Sequence, residues 1–191
     1  PRAVRRVLRV RLRRHRQMWR RDSSLPESYE EYLEILTKKN RHELKRKKRK
    51  FADEITSSAL KESKDEDIFD TFISQHRQSA GEKGKFMTEI VENYFDSLLK
   101  LDGWKIYYLE TDKGVLSTAF CYENELGCYL YNSSRNNEFN AINPGIVIND
   151  LIIQELVNET MSFFDCLNYT EQYKYNLGGN SFQHYDRTMN L

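Results

Sequence analysis

The residues with the most chemical potential lie in the last third of the chain. Gly127 to Asn132 alternates small and aromatic side chains, as a half-buried strand does, and a polar loop of Ser, Asn and Arg follows it. Asn143-Pro144-Gly145 then opens an amphipathic helix. Proline suits a first helical turn, because the N–H it lacks would have had no intrahelical acceptor there, and glycine lets a ligand approach the bare backbone. Free N–H groups from Gly145 through Ile146 and Val147 to Ile148 would suit a phosphate. An ordinary strand-to-helix connection would use the same residues. Further on, Met161 to Leu167 is a short apolar run holding one acid, Asp165, and it leads into Tyr169-Thr170-Glu171-Gln172-Tyr173-Lys174. Two carboxylates, a phenol and an ammonium group thus fall within ten residues, a set suited to moving protons and holding charge.

These motifs, taken in order, resemble a family. Asn-Pro-Gly, a helix, a strand ending in Phe163-Phe164-Asp165, a short gap and then Glu171-Gln172-Tyr173-Lys174 are similar to the acetyltransferase branch of CelD-type polysaccharide biosynthesis proteins. That branch is related to FemAB-like peptidyltransferases within the GNAT superfamily. The resemblance reaches upstream through FISQHRQSAGEKGKF (72–86) to KKNRHELKRKKRKF (38–51) and covers roughly Ser28 to Gly178. It implies a GNAT-like α/β fold, an antiparallel meander followed by strand, helix and strand. It also implies an acyl-coenzyme A donor, acetyl-CoA or another acyl-CoA, bound at Asn143, Pro144, Gly145, Ile146, Val147 and Ile148, with no metal. The activity implied is N-acyl transfer to an amine of a sugar or cell-envelope precursor.

The side chains then acquire roles. An amine attacks only when neutral, so a carboxylate must help remove its proton, and Asp165 and Glu171 are the candidates. A thiolate leaves, and the Tyr173 hydroxyl can stabilise it by hydrogen bonding. Lys174 can hold an anionic part of either substrate. Structural readings stand beside each: Asp165 as a turn cap, Glu171 with Lys174 as a surface pair, Tyr173 as a core residue. A Cys166 acyl-enzyme is disfavoured, since no histidine is near it in sequence and the thioester is already activated.

Composition sets the outer bounds. A chain of 191 residues with 39% hydrophobic and 13% aromatic content can build one core, and residues 25–191 are expected to form one domain. No apolar run approaches about 20 residues and no secretory signal is visible, so a cytoplasmic protein without a membrane span is expected. Cys121, Cys128 and Cys166 have no metal-ligand spacing, and four histidines are scattered singly. The net charge of +1 hides an asymmetry, because residues 1–21 hold ten Arg and no acid, whereas residues 22–191 hold 20 basic and 29 acidic side chains. Residues 1–24 therefore read as a disordered or foreign head. The start at Pro1, and the second GNAT-like half that relatives carry, make a fragment of a larger protein the expectation.

The remaining elements must position the site. Ser28 with Glu31 forms a capping box ahead of a short helix carrying Tyr29, Tyr32, Leu33 and Leu36. Lys38 to Lys50 packs nine basic residues around one acid, and Asn40 and Glu43 are placed to cap this second helix. The resemblance tilts Arg41 and Lys45 towards binding phosphates or an acidic acceptor; a solvated basic face explains the charge equally well. Ala52 to Ser63 alternates loosely as a strand. After it comes a helix whose Ile68, Phe69, Phe72, Ile73 and His76 share one face. His76 and Arg77 at its end are candidates to contact the substrate, although a histidine so placed also fits a hydrogen-bonded core. Ile90, Val91, Tyr94, Phe95, Leu98 and Leu99 mark an amphipathic helix, and strands over 104–110, 115–123 and 127–132 form a meander with a turn at Thr111 to Gly114. A last strand is expected around Phe182. In the helix after Pro144, Ile148, Leu151, Ile152 and Leu156 should face the core, with Asn149, Asp150, Gln154 and Glu155 in water. The competing function is a catalytically silent module that holds RNA or an anionic polymer through its basic segments. Nucleic acid is the less favoured partner, since aromatic interleaving is limited to Trp19 in the head and Lys38 to Lys50 has no aromatic platform.

Overall fold

The computed structural model describes residues 18–166 and 175–184, with side chains for 25–166 and 175–179. In chain order the elements are β1 (Met18–Ser24), α1 (Tyr29–Ile35), α2 (Lys38–Glu54), β2 (Ser58–Ser63) and α3 (Glu66–Arg77). Next come α4 (Glu82–Phe86), α5 (Glu89–Leu99), β3 (Trp104–Thr111), β4 (Gly114–Asn124) and β5 (Gly127–Arg135). A 3-10 turn (Asn137–Ile142), α6 (Pro144–Asn158), β6 (Phe163–Asp165) and β7 (Asn180–His184) complete the order. Seven strands form one mixed sheet in the order β2-β3-β4-β5-β6-β1-β7. Every neighbouring pair is antiparallel except β5 with β6.

Alternation along the strands divides the apolar residues between two cores. Ile106 and Phe120 point to one face, where they meet Phe69, Phe72, Phe95 and Leu99 of α3 and α5. Tyr107, Cys121, Cys128 and Leu130 point to the other, against Leu44 and Phe51 of α2 and the buried side of α6. The period of two in the strands and of 3.6 in the helices thus builds a helix–sheet–helix sandwich. The meander forms because Asp112-Lys113 leads into Gly114, whose φ of +90° suits a residue without a Cβ. Helix starts are capped as their sequences direct: Ser28 accepts from the Glu31 N–H, and Thr88 from the Val91 N–H. At α2 the cap is Thr37, which accepts from the Asn40 N–H, in place of the expected Asn40 and Glu43.

Three other expectations change. Residues 52–54 complete α2, and the strand expected over 52–63 is confined to Ser58–Ser63. Met18–Ser24, read as part of an unstructured head, pairs with both β6 and β7, while residues 1–17 lie outside the described residues. Asn149 and Asp150 are buried rather than wet. Helix α6 packs on the sheet with one side and on α1 and α2 with another, so its polar pair is enclosed between helices. The Tyr29 hydroxyl donates to one Asp150 oxygen at 2.6 Å; the Lys48 ammonium sits 2.6 Å from the other, to which the Gln154 amide also donates. Burial, and then the carboxylate beside it, push the Tyr29 phenol well above its ordinary range. This cluster ties three helices together.

Candidate active site

The parallel pair β5–β6 is short. Gly127, Cys128 and Tyr129 pair with Phe163, Phe164 and Asp165, after which β6 ends and β5 runs on to Arg135. A Cβ on Gly127 would lie 2.3 Å from the Phe163 carbonyl oxygen, so glycine permits the close start of the pair. Beyond Tyr129 the sheet opens as a fork. One edge of β5 there has no strand partner among the described residues, and such an edge offers backbone hydrogen bonds to an extended amide-bearing ligand. Ligands of α/β sheets enter at such places, beyond the carboxyl ends of parallel strands.

Helix α6 begins at the open end of this fork. Asn143 takes the left-handed conformation (φ 58°, ψ 48°) between the 3-10 turn and the helix, and Pro144 occupies its first turn. The Ile146 and Val147 N–H groups already donate to the Asn143 carbonyl, at 3.0 and 3.3 Å. Of the N–H groups from Gly145 to Ile148 expected to meet a phosphate, those of Ile146 and Val147 are therefore already engaged at the helix start. A Cβ there would meet Arg135 Cδ at 3.7 Å and Ser117 Oγ at 4.0 Å. Arg135, whose Nε donates to Asn140 at 2.5 Å, thus brings a guanidinium beside the helix start. Sequence reading passed over Arg135; an arginine closing a strand just ahead of an Asn-Pro-Gly helix start was the available signal.

On the α3 side, a bulge shapes β5. Phe120 pairs with Asn132 and Cys121 with Leu130, which leaves Tyr131 as an extra residue. Tyr131 and Asn132 consequently both face α3 and α5: Tyr131 packs 5.6 Å from the Phe95 ring, and Asn132 meets His76. A polar network fastens α3 here. The Gln75 amide donates to the Val115 carbonyl, Ser134 donates to Gln75, and Thr118 and Ser134 share a 2.6 Å hydrogen bond. His76 is 1% exposed, with Nε2 3.2 Å from Asn132 Oδ1. Asn132 Oδ1 also accepts the Ser133 N–H at 2.7 Å, so it is the amide oxygen, Nε2 carries the proton and Nδ1 keeps its lone pair. Burial, and next the Lys83 charge, hold the His76 pKa below its ordinary 6.5.

The four expected substrate-contacting residues do not converge. Arg41 and Lys45 lie on α2 over one face of the sheet, and His76 and Arg77 end α3 over the other. Arg77 is engaged in the fold: its Nε donates to the Met87 carbonyl at 3.1 Å and its guanidinium pairs with Glu92. Lys38, Arg41, His42 and Lys45 line an open cleft of about 430 Å³, adjoining one of about 760 Å³ between α2 and Asn176. Asp165 lies elsewhere, 1% exposed at the base of the fork. Phe164 and Cys166 enter the α6-side core, so alternation turns Asp165 to the opposite face, alongside Tyr129. Glu171, Tyr173 and Lys174 lie outside the described residues.

The profile of the acetyltransferase (GNAT) domain family matches residues 38–175, and the chain belongs to that family. No curated protein matches it in sequence. Among solved structures it is similar to FemX, with a TM-score of 0.61 at 12% identity over 85% of this chain and 59% of that one. A conserved protein of unknown function from Bacteroides thetaiotaomicron VPI-5482 gives 0.58 at 11% identity, covering 88% and 58%. A functionally unknown conserved protein from Staphylococcus epidermidis ATCC 12228 gives 0.53 at 8%, covering 87% and 58%. The likeness is one of fold, and the chain spans somewhat under three fifths of each of these structures. The family is that of an acetyltransferase domain.

Proposed function

We propose that the chain is an N-acyltransferase that moves an acyl group from acyl-CoA to an amine of a sugar or another cell-envelope precursor. The observation that carries this reading is the fork, where β5 outruns β6 next to the start of α6. An extended pantetheine arm can follow the open β5 edge, its amides meeting backbone groups, while its pyrophosphate lies by Gly145 and Arg135. The thioester then falls near Leu130 to Asn132, and Asp165 stands at the base. In the reaction the acceptor ammonium first loses a proton towards the Asp165 carboxylate, directly or through one water. The neutral amine adds to the thioester carbonyl, the C–N bond forms, the C–S bond breaks, and the proton then shed by nitrogen goes to the leaving thiolate, which departs as coenzyme A. Glu171 is a second acceptor for the amine proton, Tyr173 a hydrogen-bond donor to the departing sulfur, and Lys174 a holder of anionic groups. The quoted motifs support the polysaccharide-biosynthesis branch and a cytoplasmic reaction drawing on acyl-CoA. The resemblance to relatives that carry a second GNAT-like half supports such a half in the whole protein.

The test is a thermal-shift series with coenzyme A and acetyl-CoA, followed by an acyl-transfer assay with small amines. Acetyl-CoA at 100 times its dissociation constant should stabilise the fold by about 2.7 kcal/mol, and absence of any shift would remove the donor assignment. A second reading, anion binding at α2, rests on the two clefts. Lys38, Lys39, His42 and Lys45 have no carboxylate partner among the described residues, and Arg41 Nε is buried without a hydrogen-bond partner. Polyanion affinity that falls steeply with salt and is indifferent to coenzyme A would favour it.

A further inference from the structure

One row of residues crosses the sheet beside the fork. Trp104 pairs with Tyr122, Tyr122 with Tyr129, and Tyr129 with Asp165, one residue from each of β3, β4, β5 and β6. All four therefore project from the same face, the one occupied by α3 and α5. The next row on that face, Ile106 with Phe120, is completely buried beneath those helices, whereas Trp104, Tyr122 and Tyr129 keep part of their surface in solvent. Their ring centroids are 5.3 and 6.0 Å apart, and Tyr131 stands edge-on to Trp104 at 5.3 Å. One edge-to-face and two tilted contacts hold these rings in place before any ligand arrives.

Building on the acyl-transfer reading, we propose that this row is the acceptor platform and that it takes an amine-bearing pyranose. Three observations select that class. The exposed surface is tyrosine and tryptophan rather than aliphatic, and such rings offer flat π faces to C–H groups and hydroxyls to hydrogen bonds. The row ends on the buried Asp165 carboxylate, whose field favours a cation and opposes a phosphate-bearing ligand; aromatic faces likewise attract an ammonium group. Its width, three strands of rings, fits the C–H face of a six-membered ring better than a single alkyl chain. A sugar lying on Tyr122 and Tyr129 would direct its amine to Asp165, at the base of the fork where the thioester is expected.

The test uses D-glucosamine, D-glucose and cadaverine as probes. Direct binding is read from Trp104 fluorescence in a Trp19→Phe background, which leaves one tryptophan. Glucosamine should bind at least about tenfold more tightly than either other probe, and Tyr122→Leu and Tyr129→Leu, which keep apolar bulk, should each weaken it about tenfold. In the transfer assay the same variants should raise the glucosamine KM while leaving the acetyl-CoA KM unchanged. Equal affinity for glucosamine and cadaverine, or unaltered glucosamine binding in both variants, would overturn the platform. So would variants whose only effect is a change in oligomeric state, because the row would then be an interface. If no amine is acylated and acetyl-CoA gives no thermal shift, the acyl-transfer reading fails separately, and the fluorescence titration still decides the platform.

Discussion

His76 shows how much a single side chain records. With Nε2–H committed to Asn132 and Nδ1 buried without a hydrogen-bond partner among the described residues, its neutral form is the one the fold accommodates. The folded-state pKa lies below the ordinary value, so the unfolded chain takes up a proton that the folded chain resists. Stability should thus be fully present above about pH 6.5 and should decline as pH falls through that value. Urea melts of wild type and His76→Gln at pH 7.5 and 5.5 check this. The wild type should lose more stability between the two than the variant; parallel losses would contradict it. Lys48 makes a second case. It looks like one more cation of a basic run, yet it is the counter-ion of the buried Asp150. Lys48→Met should destabilise by about 2 to 4 kcal/mol, the lower side of the range for orphaning a buried charge, because Lys48 itself remains partly exposed. Lys45→Met, on the exposed face of the same helix, should stay within about 0.5 kcal/mol. Denaturant unfolding compares them.

At the scale of elements, helix α6 and strand β5 carry the site. Gly145 has an ordinary backbone angle and room for a Cβ, so Gly145→Val should fold, while its branched side chain displaces Arg135 and covers the N–H aimed at the phosphate. Coenzyme A affinity should fall about tenfold, roughly 1.4 kcal/mol, in calorimetry; unchanged affinity would move the pyrophosphate elsewhere. Removing the ring of Phe120, enclosed by Phe72 and Phe95 at 5.5 and 4.8 Å, should cost about 3 to 5 kcal/mol in Phe120→Ala by thermal or urea melts. Sequence periodicity showed these elements well: the meander, the turn at Gly114 and the proline-led start of α6 each rest on local rules. It placed Asn149 and Asp150 in water because a hydrophobic stripe describes one buried face, and α6 has two. Nor could a period of two reveal Tyr131, since a bulge appears only when strands are paired.

At the scale of the whole molecule, the fold follows from the order of elements, and the fork from one topological fact. Five of the six neighbouring strand pairs are antiparallel, and the single parallel step, between β5 and β6, ends after three residue pairs while β5 runs on. The proposed donor site and Asp165 could be read as motifs because they sit within one continuous stretch of chain. The aromatic row was not, because Trp104, Tyr122 and Tyr129 are brought side by side only by register. The same distinction explains why Arg41 and Lys45, read together with His76 and Arg77, prove to lie on opposite faces of the sheet. Among the described residues no helix is long and apolar enough to cross a membrane.

The central claim, amine acylation at the fork with Asp165 as proton acceptor, is tested most directly by single-turnover acetyl transfer from acetyl-CoA to glucosamine with wild type and Asp165→Asn. The amide keeps the volume of the buried carboxylate and removes its basicity, and the thermal shift with coenzyme A reports that the fold and donor site persist. The account expects that shift to be retained and the transfer rate to fall by about 10² or more. Equal rates in the two proteins, with the same coenzyme A shift, would contradict it.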